Sequence, residues 1–184
     1  MRRSKSGKTQ HPIKEGDNPD EPDILLDGSK AEAFTDAVKK IGTVRNVEEF
    51  WTMYDFIIRP DELPVTTDYH FFREGIAPTW EDPHNANGGK WTFRLPKKGI
   101  LASRLWEEIV LALVGGQFSG LPDGEVCGAV ISIRERTNVL AIWTKSGKNQ
   151  QMINKVGQAL RRILSLPTNA FSMMYYQTHP RPTD

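Results

Sequence analysis

Trp80 and Glu81, set side by side in Gly75-Ile76-Ala77-Pro78-Thr79-Trp80-Glu81-Asp82-Pro83, are residue types that could together hold a guanine base. An indole face attracts a ring that carries positive charge. A carboxylate accepts two hydrogen bonds from the N1–H and N2 amino group on the Watson–Crick edge of guanine. A tryptophan in a proline-bounded loop is by default the rim of a core, so the pair gains meaning from what accompanies it. Arg134-Glu135-Arg136 lies between two strand-like runs, where a tight hairpin end would project two guanidinium groups in a fork suited to phosphate oxygens. Trp143 closes the next strand and Lys145 follows it, while Gly88-Gly89-Lys90-Trp91 reads as a flexible turn followed by a cation.

The elements that must position these groups are legible from periodicity. A first helix is expected from Val47 to about Ile58, with Asn46 as N-cap, Glu49 at the third position, and Val47, Phe50, Trp51, Tyr54 and Ile58 at helical spacing. A second should run from about Arg104 to Val114 and stop at Gly115-Gly116, and a third from about Asn149 to Leu164. Alternating or continuously apolar runs predict strands over Tyr69–Phe72, Lys90–Leu95, Glu125–Arg134, Asn138–Thr144 and Phe171–Tyr176. Short turns between them favour antiparallel pairing, which gives an α+β domain with a curved sheet and helices on one face. Phe34, Val38 and Ile41 also fit a helix, and that segment is left open.

Length and charge bound the possibilities. The 184 residues suit one domain with a single core. Residues 1–32 are polar and proline-bearing and are expected to be a mostly disordered acidic tail, with the folded domain over 33–184. Lys5-Ser6-Gly7-Lys8-Thr9 has neither the earlier glycine nor the preceding strand of a P-loop. No stretch has the length of a membrane span and the start lacks the apolar region of a signal peptide, so the cytoplasm or nucleus is expected. The single cysteine, Cys127, excludes an internal disulfide and any multi-cysteine zinc site, and its apolar surroundings read as those of a buried small hydrophobe. The net charge of +1 conceals an asymmetry: Glu15 to Asp36 holds eight acids and one base, whereas Val126 to Asp184 holds eight bases and two acids. A basic half implies an anionic partner, although part of it must be a solvated helix face carrying Lys155, Arg161 and Arg162.

Several of these motifs, in this order, resemble the messenger-RNA cap-binding translation initiation factor 4E family. The matching text is Val47-Glu48-Glu49-Phe50-Trp51, Gly75-Ile76 to Pro78 with Trp80-Glu81-Asp82, Gly88-Gly89-Lys90-Trp91, Val126-Cys127-Gly128-Ala129-Val130 and Ala141-Ile142-Trp143-Thr144, and the resemblance covers about Gly42 to His179. Ser103-Arg104-Leu105-Trp106-Glu107-Glu108, Gly116-Gln117-Phe118 and Leu160-Arg161-Arg162-Ile163-Leu164 are similar to the 4E-homologous protein branch, which is associated with translational repression and specialised initiation.

The resemblance implies three helices on the convex face of the sheet, a cap pocket on its concave face, and binding of the 7-methylguanosine cap without catalysis or cofactor. It places Trp80 and Phe34 as the two stacking aromatics, Glu81 as the reader of the guanine edge, Trp143 near the 7-methyl group, and Lys90, Arg134 and Arg136 on the phosphates. It also places Val47, Trp51 and Glu108 on a face gripped by the helical tyrosine-to-leucine motif of a scaffold or repressor, the protein itself being a monomer. Read without the resemblance, Trp51 on an amphipathic helix is more often core than interface.

The chain departs from the family pattern at several points. Phe34 stands for the usual Trp or Tyr, Glu107 for a leucine of the partner surface, and Val139 for a phosphate lysine. His11-Pro12-Ile13 is followed by the acidic run instead of a strand, and the chain ends soon after His179 without a closing loop. The alternative function is therefore a cap-independent adaptor with a degraded pocket. An enzyme is disfavoured, because His11, His70, His84 and His179 show no paired metal spacing and Glu81 with Asp82 is too small a group to hold magnesium.

Overall fold

Side-chain alternation in the strands and helical periodicity between them sort this chain into two layers. The structure, a computed structural model, describes residues 38–97, 100–165 and 174–180. Five strands, β1 (Thr67–Phe72), β2 (Gly89–Pro96), β3 (Val126–Ile133), β4 (Thr137–Thr144) and β5 (Met174–Thr178), form one curved sheet in the order β1-β3-β4-β2-β5. Every neighbouring pair is antiparallel. Three helices, α1 (Val47–Tyr54), α2 (Leu101–Val114) and α3 (Gln150–Ile163), are present among the described residues.

The helices share one face of the sheet. Phe93 and Leu95 of β2, Leu140 and Ile142 of β4, and Ala129, Ile131 and Ile133 of β3 enter a single buried cluster with Leu105, Trp106 and Ile109 of α2 and Val156 and Leu160 of α3. Burying each large side chain contributes roughly 1.5–3 kcal/mol, so this layer supplies most of the stability. Trp91 shows how tightly it is closed: its Nε1–H donates to the Ile153 carbonyl at 3.2 Å, and its ring presses on Gly157 of α3, where a Cβ would stand 2.8 Å from the indole.

The register sets the opposite face in rows. Lys90, Trp143, Gly128 and Phe72 form the first, Thr92, Ala141, Val130 and His70 the second, and Arg94, Val139, Ser132 and Asp68 the third. The second row is buried at Thr92, Ala141 and Val130, so charges lie to either side of an apolar middle.

The expected elements all form, with shifted ends. α1 stops at Tyr54 and not near Ile58, because Phe56 and Ile57 donate to Met53 and Tyr54 in tight turns and Pro60 holds Arg59 in an extended conformation. Its start is as expected: the Asn46 side chain accepts from Glu49 N–H at 2.8 Å and the Glu49 carboxylate accepts from Arg45 N–H at 2.9 Å. α2 begins at Leu101, three residues before the expected Arg104, without a side-chain cap; packing of Leu101 against the core takes the place of one. α3 is capped by Asn149, whose side chain accepts from Met152 N–H at 3.1 Å. The last strand lies at Met174–Thr178 instead of Phe171–Tyr176, with residues 171–173 outside the described ones. Residues 38–44 adopt neither helix nor strand.

Gly88-Gly89 is not a flexible turn. Both residues are buried, and a Cβ on Gly89 would stand 2.5 Å from the Gln177 carbonyl while one on Gly88 would collide with the carbonyl of Thr144. These glycines exist for close backbone approach. Gly128 serves a similar purpose under the first row, since a Cβ there would meet the Phe72 ring at 2.5 Å and the Phe71 carbonyl at 2.6 Å. Gly128→Val should therefore destabilise the domain by about 1–3 kcal/mol through overpacking, visible as a lower thermal midpoint. An unchanged midpoint would mean that the first row is loosely packed.

Candidate functional site

The loop that carries Trp80 and Glu81 is braced by its neighbours. The Asp82 carboxylate accepts from Ala77 N–H at 2.8 Å, and from the backbone and ring of His84 at 2.8 and 3.0 Å. These hydrogen bonds hold the Asp82 carboxyl below its usual range against the opposing effect of burial. The wholly buried Asn85 amide donates to the carbonyls of Ala77 and Thr79 at 2.9 and 2.8 Å. Glu81 takes no part in this bracing: both of its carboxylate oxygens are shielded and accept no hydrogen bond. An unpartnered buried acceptor pair costs free energy unless a ligand satisfies it.

The same loop is fastened to one end of the sheet. Gly88 N–H donates to the Asn85 carbonyl at 2.7 Å, Gly147 N–H to that of Asn87 at 2.9 Å, and His179 N–H to that of Gly88 at 3.1 Å. These bonds bring the Asn85–Gly88 end of the loop to the end of the sheet where Gly89 pairs with Thr144 and Thr178, next to Lys90 and Trp143. The Trp143 indole is itself fixed between Phe72, edge-on at 5.5 Å, and His179, tilted by 40° at 4.2 Å. His179 is buried, and burial together with Lys90 pushes its ring down to about 4. The wall behind Trp143 is thus uncharged at neutral pH.

The cations stand further along the strands. Lys90 and Arg94 are four residues apart on β2, a span of roughly 13 Å, comparable with an extended nucleoside triphosphate. Arg134 and Arg136 do not form the expected projecting fork. Arg134 is clamped to Asp68 by two bonds, at 2.9 and 3.1 Å, and also donates to the Ile133 carbonyl, whereas Arg136 is exposed in the β3–β4 turn. Asp68 faces the open side of edge strand β1, and that is the carboxylate the expectation lacked. Lys97 donates to the Arg134 carbonyl at 2.8 Å and so ties the end of β2 to this turn.

Arg94 was not singled out in the sequence, and the register gives it a place on the open face. It lies directly across from Val139, the position where a phosphate lysine was expected. Strand register was the signal that could have found it, since alternation puts Lys90 and Arg94 on one face.

Phe34 lies outside the described residues. Lys145 is exposed beyond the end of β4, at the rim of a cleft shared with Pro83, His84 and Lys148. On the helical side, Val47 is 38 % exposed. Trp51 is half-buried, edge-on to Phe50 and Tyr54 at 5.3 and 5.9 Å, so it belongs to the rim of the core and still presents an edge outward. Glu108 pairs with Arg104 at 2.9 Å one turn earlier on α2.

A curved antiparallel sheet backed by three helices is the build of the initiation-factor domains with which this structure superposes. The family profile described as eukaryotic initiation factor 4E matches residues 17–183, and the chain belongs to that family. Eukaryotic translation initiation factor 4E-4 of Caenorhabditis elegans is 38% identical over 148 residues, which cover 80% of this chain and 67% of the relative. The initiation factor NCBP of Triticum aestivum is 39% identical over 152 residues, covering 83% of this chain and 63% of the relative. The chain therefore spans about two thirds of the length of these relatives. Ascaris suum eIF4E-3, solved in complex with m7G cap, superposes with a TM-score of 0.72 at 32% identity, over 79% of this chain and 80% of that one. C. elegans eIF4E-3 in complex with the 4E-binding protein Mextli gives the same TM-score, 0.72, at 32% identity over 78% of this chain and 82% of that one.

His179 gives the site a measurable pH dependence. Its folded value, about 4, lies below the ordinary 6.5, so between those limits the unfolded chain binds a proton that the folded chain does not. Stability should be fully present above about pH 6.5 and fall as pH drops toward 4, by on the order of 3 kcal/mol. Urea midpoints of His179→Phe, which keeps an aromatic against Trp143, should fall less steeply over that range; equal slopes for both proteins would assign the acid sensitivity to another group.

Proposed function

We propose that this protein binds the 7-methylguanosine cap of messenger RNA and acts in translation initiation or its repression through a partner-binding helical face. One observation carries the reading. Beside Trp80, in a loop whose bracing is done by Asp82 and Asn85, the Glu81 carboxylate keeps two shielded oxygens with no hydrogen bond. Two acceptors side by side match the two donors of a guanine edge.

The remaining roles follow from position. Trp80, with Phe34 as the second plate, stacks the methylated base, whose positive charge makes the sandwich worth ~2 kcal/mol or more once desolvated. Trp143, set by Phe72 and His179, lines the methyl end. Lys90, Arg134 and Arg136 attract the phosphates, and Arg94 supplies the charge that Val139 does not. The Ascaris suum relative solved with m7G cap supports the ligand.

The Mextli complex of the C. elegans relative supports a protein partner, for which the exposed edge of Trp51, with Val47 and Glu108, is the docking face. We read the protein as a binder and not an enzyme, since burial pushes the Cys127 thiol up to about 11, out of the range of a nucleophile. Its domain extends over 33–184, and it works in the cytoplasm or nucleus.

Retention on immobilised 7-methylguanosine diphosphate tests the reading. Glu81→Gln should lower the affinity at least ~10-fold, because an amide offers one acceptor where guanine presents two donors; undiminished retention would remove Glu81 from base recognition and with it the ground for this function. Arg94→Ala should weaken the cap triphosphate by roughly tenfold and leave the 7-methylguanosine nucleoside nearly unaffected, with a shallower dependence of log affinity on log salt. Fluorescence titration reads both ligands, and equal losses would place Arg94 in fold support.

A further inference from the structure

We propose that the outer face of α3, together with the cleft at its start, binds the phosphate backbone of single-stranded RNA, apart from any pocket for the cap. That RNA reaches this protein rests on the cap-binding reading; its capture by this face does not.

No acid occurs between Glu135 and Asp184, a run that includes Lys145, Lys148, Lys155, Arg161 and Arg162. The fold turns part of that run into a continuous surface. α3 buries Ile153, Val156, Ala159 and Leu160 against the rest of the domain and leaves Lys155 and Arg162 exposed on its outside. They are seven residues apart, close to two full turns, so both side chains share one stripe. Lys148 is exposed just ahead of the first turn, and with Lys145 it lines a cleft of about 440 Å³ beside Asn87, Ser146 and Asn149. From Lys148 to Arg162 the row is roughly 21 Å long at about 1.5 Å per residue.

These cations are free to meet a ligand. Lys145, Lys148 and Lys155 make no ion pair or side-chain hydrogen bond with a described residue. Arg162 donates to the Gln117 carbonyl at 3.4 Å, a neutral partner that leaves its charge uncompensated. Two acids touch residues of the cleft, and both are occupied. Asp82 holds the His84 ring and two backbone N–H groups, and the buried Glu125 accepts from the N–H and hydroxyl of Ser146.

The chemistry of the face favours RNA over a protein. Gln151 and Gln158, both exposed, fall on the same stripe between the cations and offer amide donors to phosphate oxygens or 2′-hydroxyls. Among the described residues, none of the exposed large hydrophobic side chains lies on α3 or in the cleft. A protein partner needs an aromatic or aliphatic anchor, whereas a phosphate backbone needs a row of cations along a helix.

Fluorescence anisotropy of an uncapped, ~20-nucleotide polyuridine in saturating 7-methylguanosine triphosphate tests this face separately from the cap pocket. The full chain carrying Lys148→Gln, Lys155→Gln and Arg162→Gln should bind it about 10-fold more weakly than the wild type at ~100 mM salt. Its dependence of log affinity on log salt should be shallower by about 2, since each lost phosphate contact removes ~0.7. Lys148→Arg with Lys155→Arg should bind like the wild type, which separates charge from any effect on folding. Both variants should bind 7-methylguanosine triphosphate as the wild type does. Equal polyuridine affinity for the wild type and the glutamine variant would overturn the inference, as would a parallel loss of cap-analogue binding or polyglutamate of similar length competing as well as polyuridine. If no chain binds the cap analogue while polyuridine still separates the variants, the cap reading fails alone.

Discussion

Backbone contact at Gly88 and Gly89 is the constraint on which the rest of the site depends. No side chain fits there, because the carbonyls of Thr144 and Gln177 already occupy the space. That closeness lets Gly88 accept from His179 N–H while Asn87 accepts from Gly147 N–H, and so three separate parts of the chain meet at one point. The Trp80 loop arrives from one side, the end of β4 with Trp143 from another, and the end of β5 with His179 from a third. A binding slot needs parts from distant sequence held to within fractions of an ångström, and main-chain packing is stiffer than any arrangement of side chains.

Around this junction, structural and recognition roles are divided between chemically similar neighbours. Asp82 is spent on the loop, which leaves Glu81 unpartnered. Asp68 takes Arg134 into a two-point ion pair. A pair of this kind fixes a guanidinium in place and lowers its net attraction for an anion. In each case the partner, not the residue type, decides the role.

Those partners explain what was legible in the sequence. The helices and strands followed from periodicity and caps, because Asn46 with Glu49 and the alternation through β2 and β4 are local signals, whereas the strand order in the sheet did not. The bracing of the Trp80 loop was not legible, since Asn85 gives no sign in the sequence that its amide will be buried against Ala77 and Thr79. Gly88-Gly89 was misread for a related reason: mobility and close packing ask for the same residue, and only the strand arriving at Gln177 distinguishes them. Arg94 was hidden by register, since nothing local reveals that it faces Val139 across two strands. Trp51 resists a single label because its edge-on contacts with Phe50 and Tyr54 bury one side of the indole and leave the other outward.

The distribution of charge over the open face follows a single electrostatic logic. A methylated guanine brings a positive ring and a negative tail, so the wall meeting the ring has to be neutral or acidic and the floor meeting the tail cationic. At the loop end, Glu81 stands beside Trp80, and the ring behind Trp143 is kept uncharged by its own burial and by Lys90. Toward the β3–β4 turn the charge reverses, through Arg94 on the open face and Arg136 in the turn. Protonation of His179 would put a cation directly behind the Trp143 indole and weaken that polarity. Burial resists it: the desolvation that keeps His179 neutral is a property of the packed junction at Gly88, so the geometry that assembles the slot also sets its electrostatics.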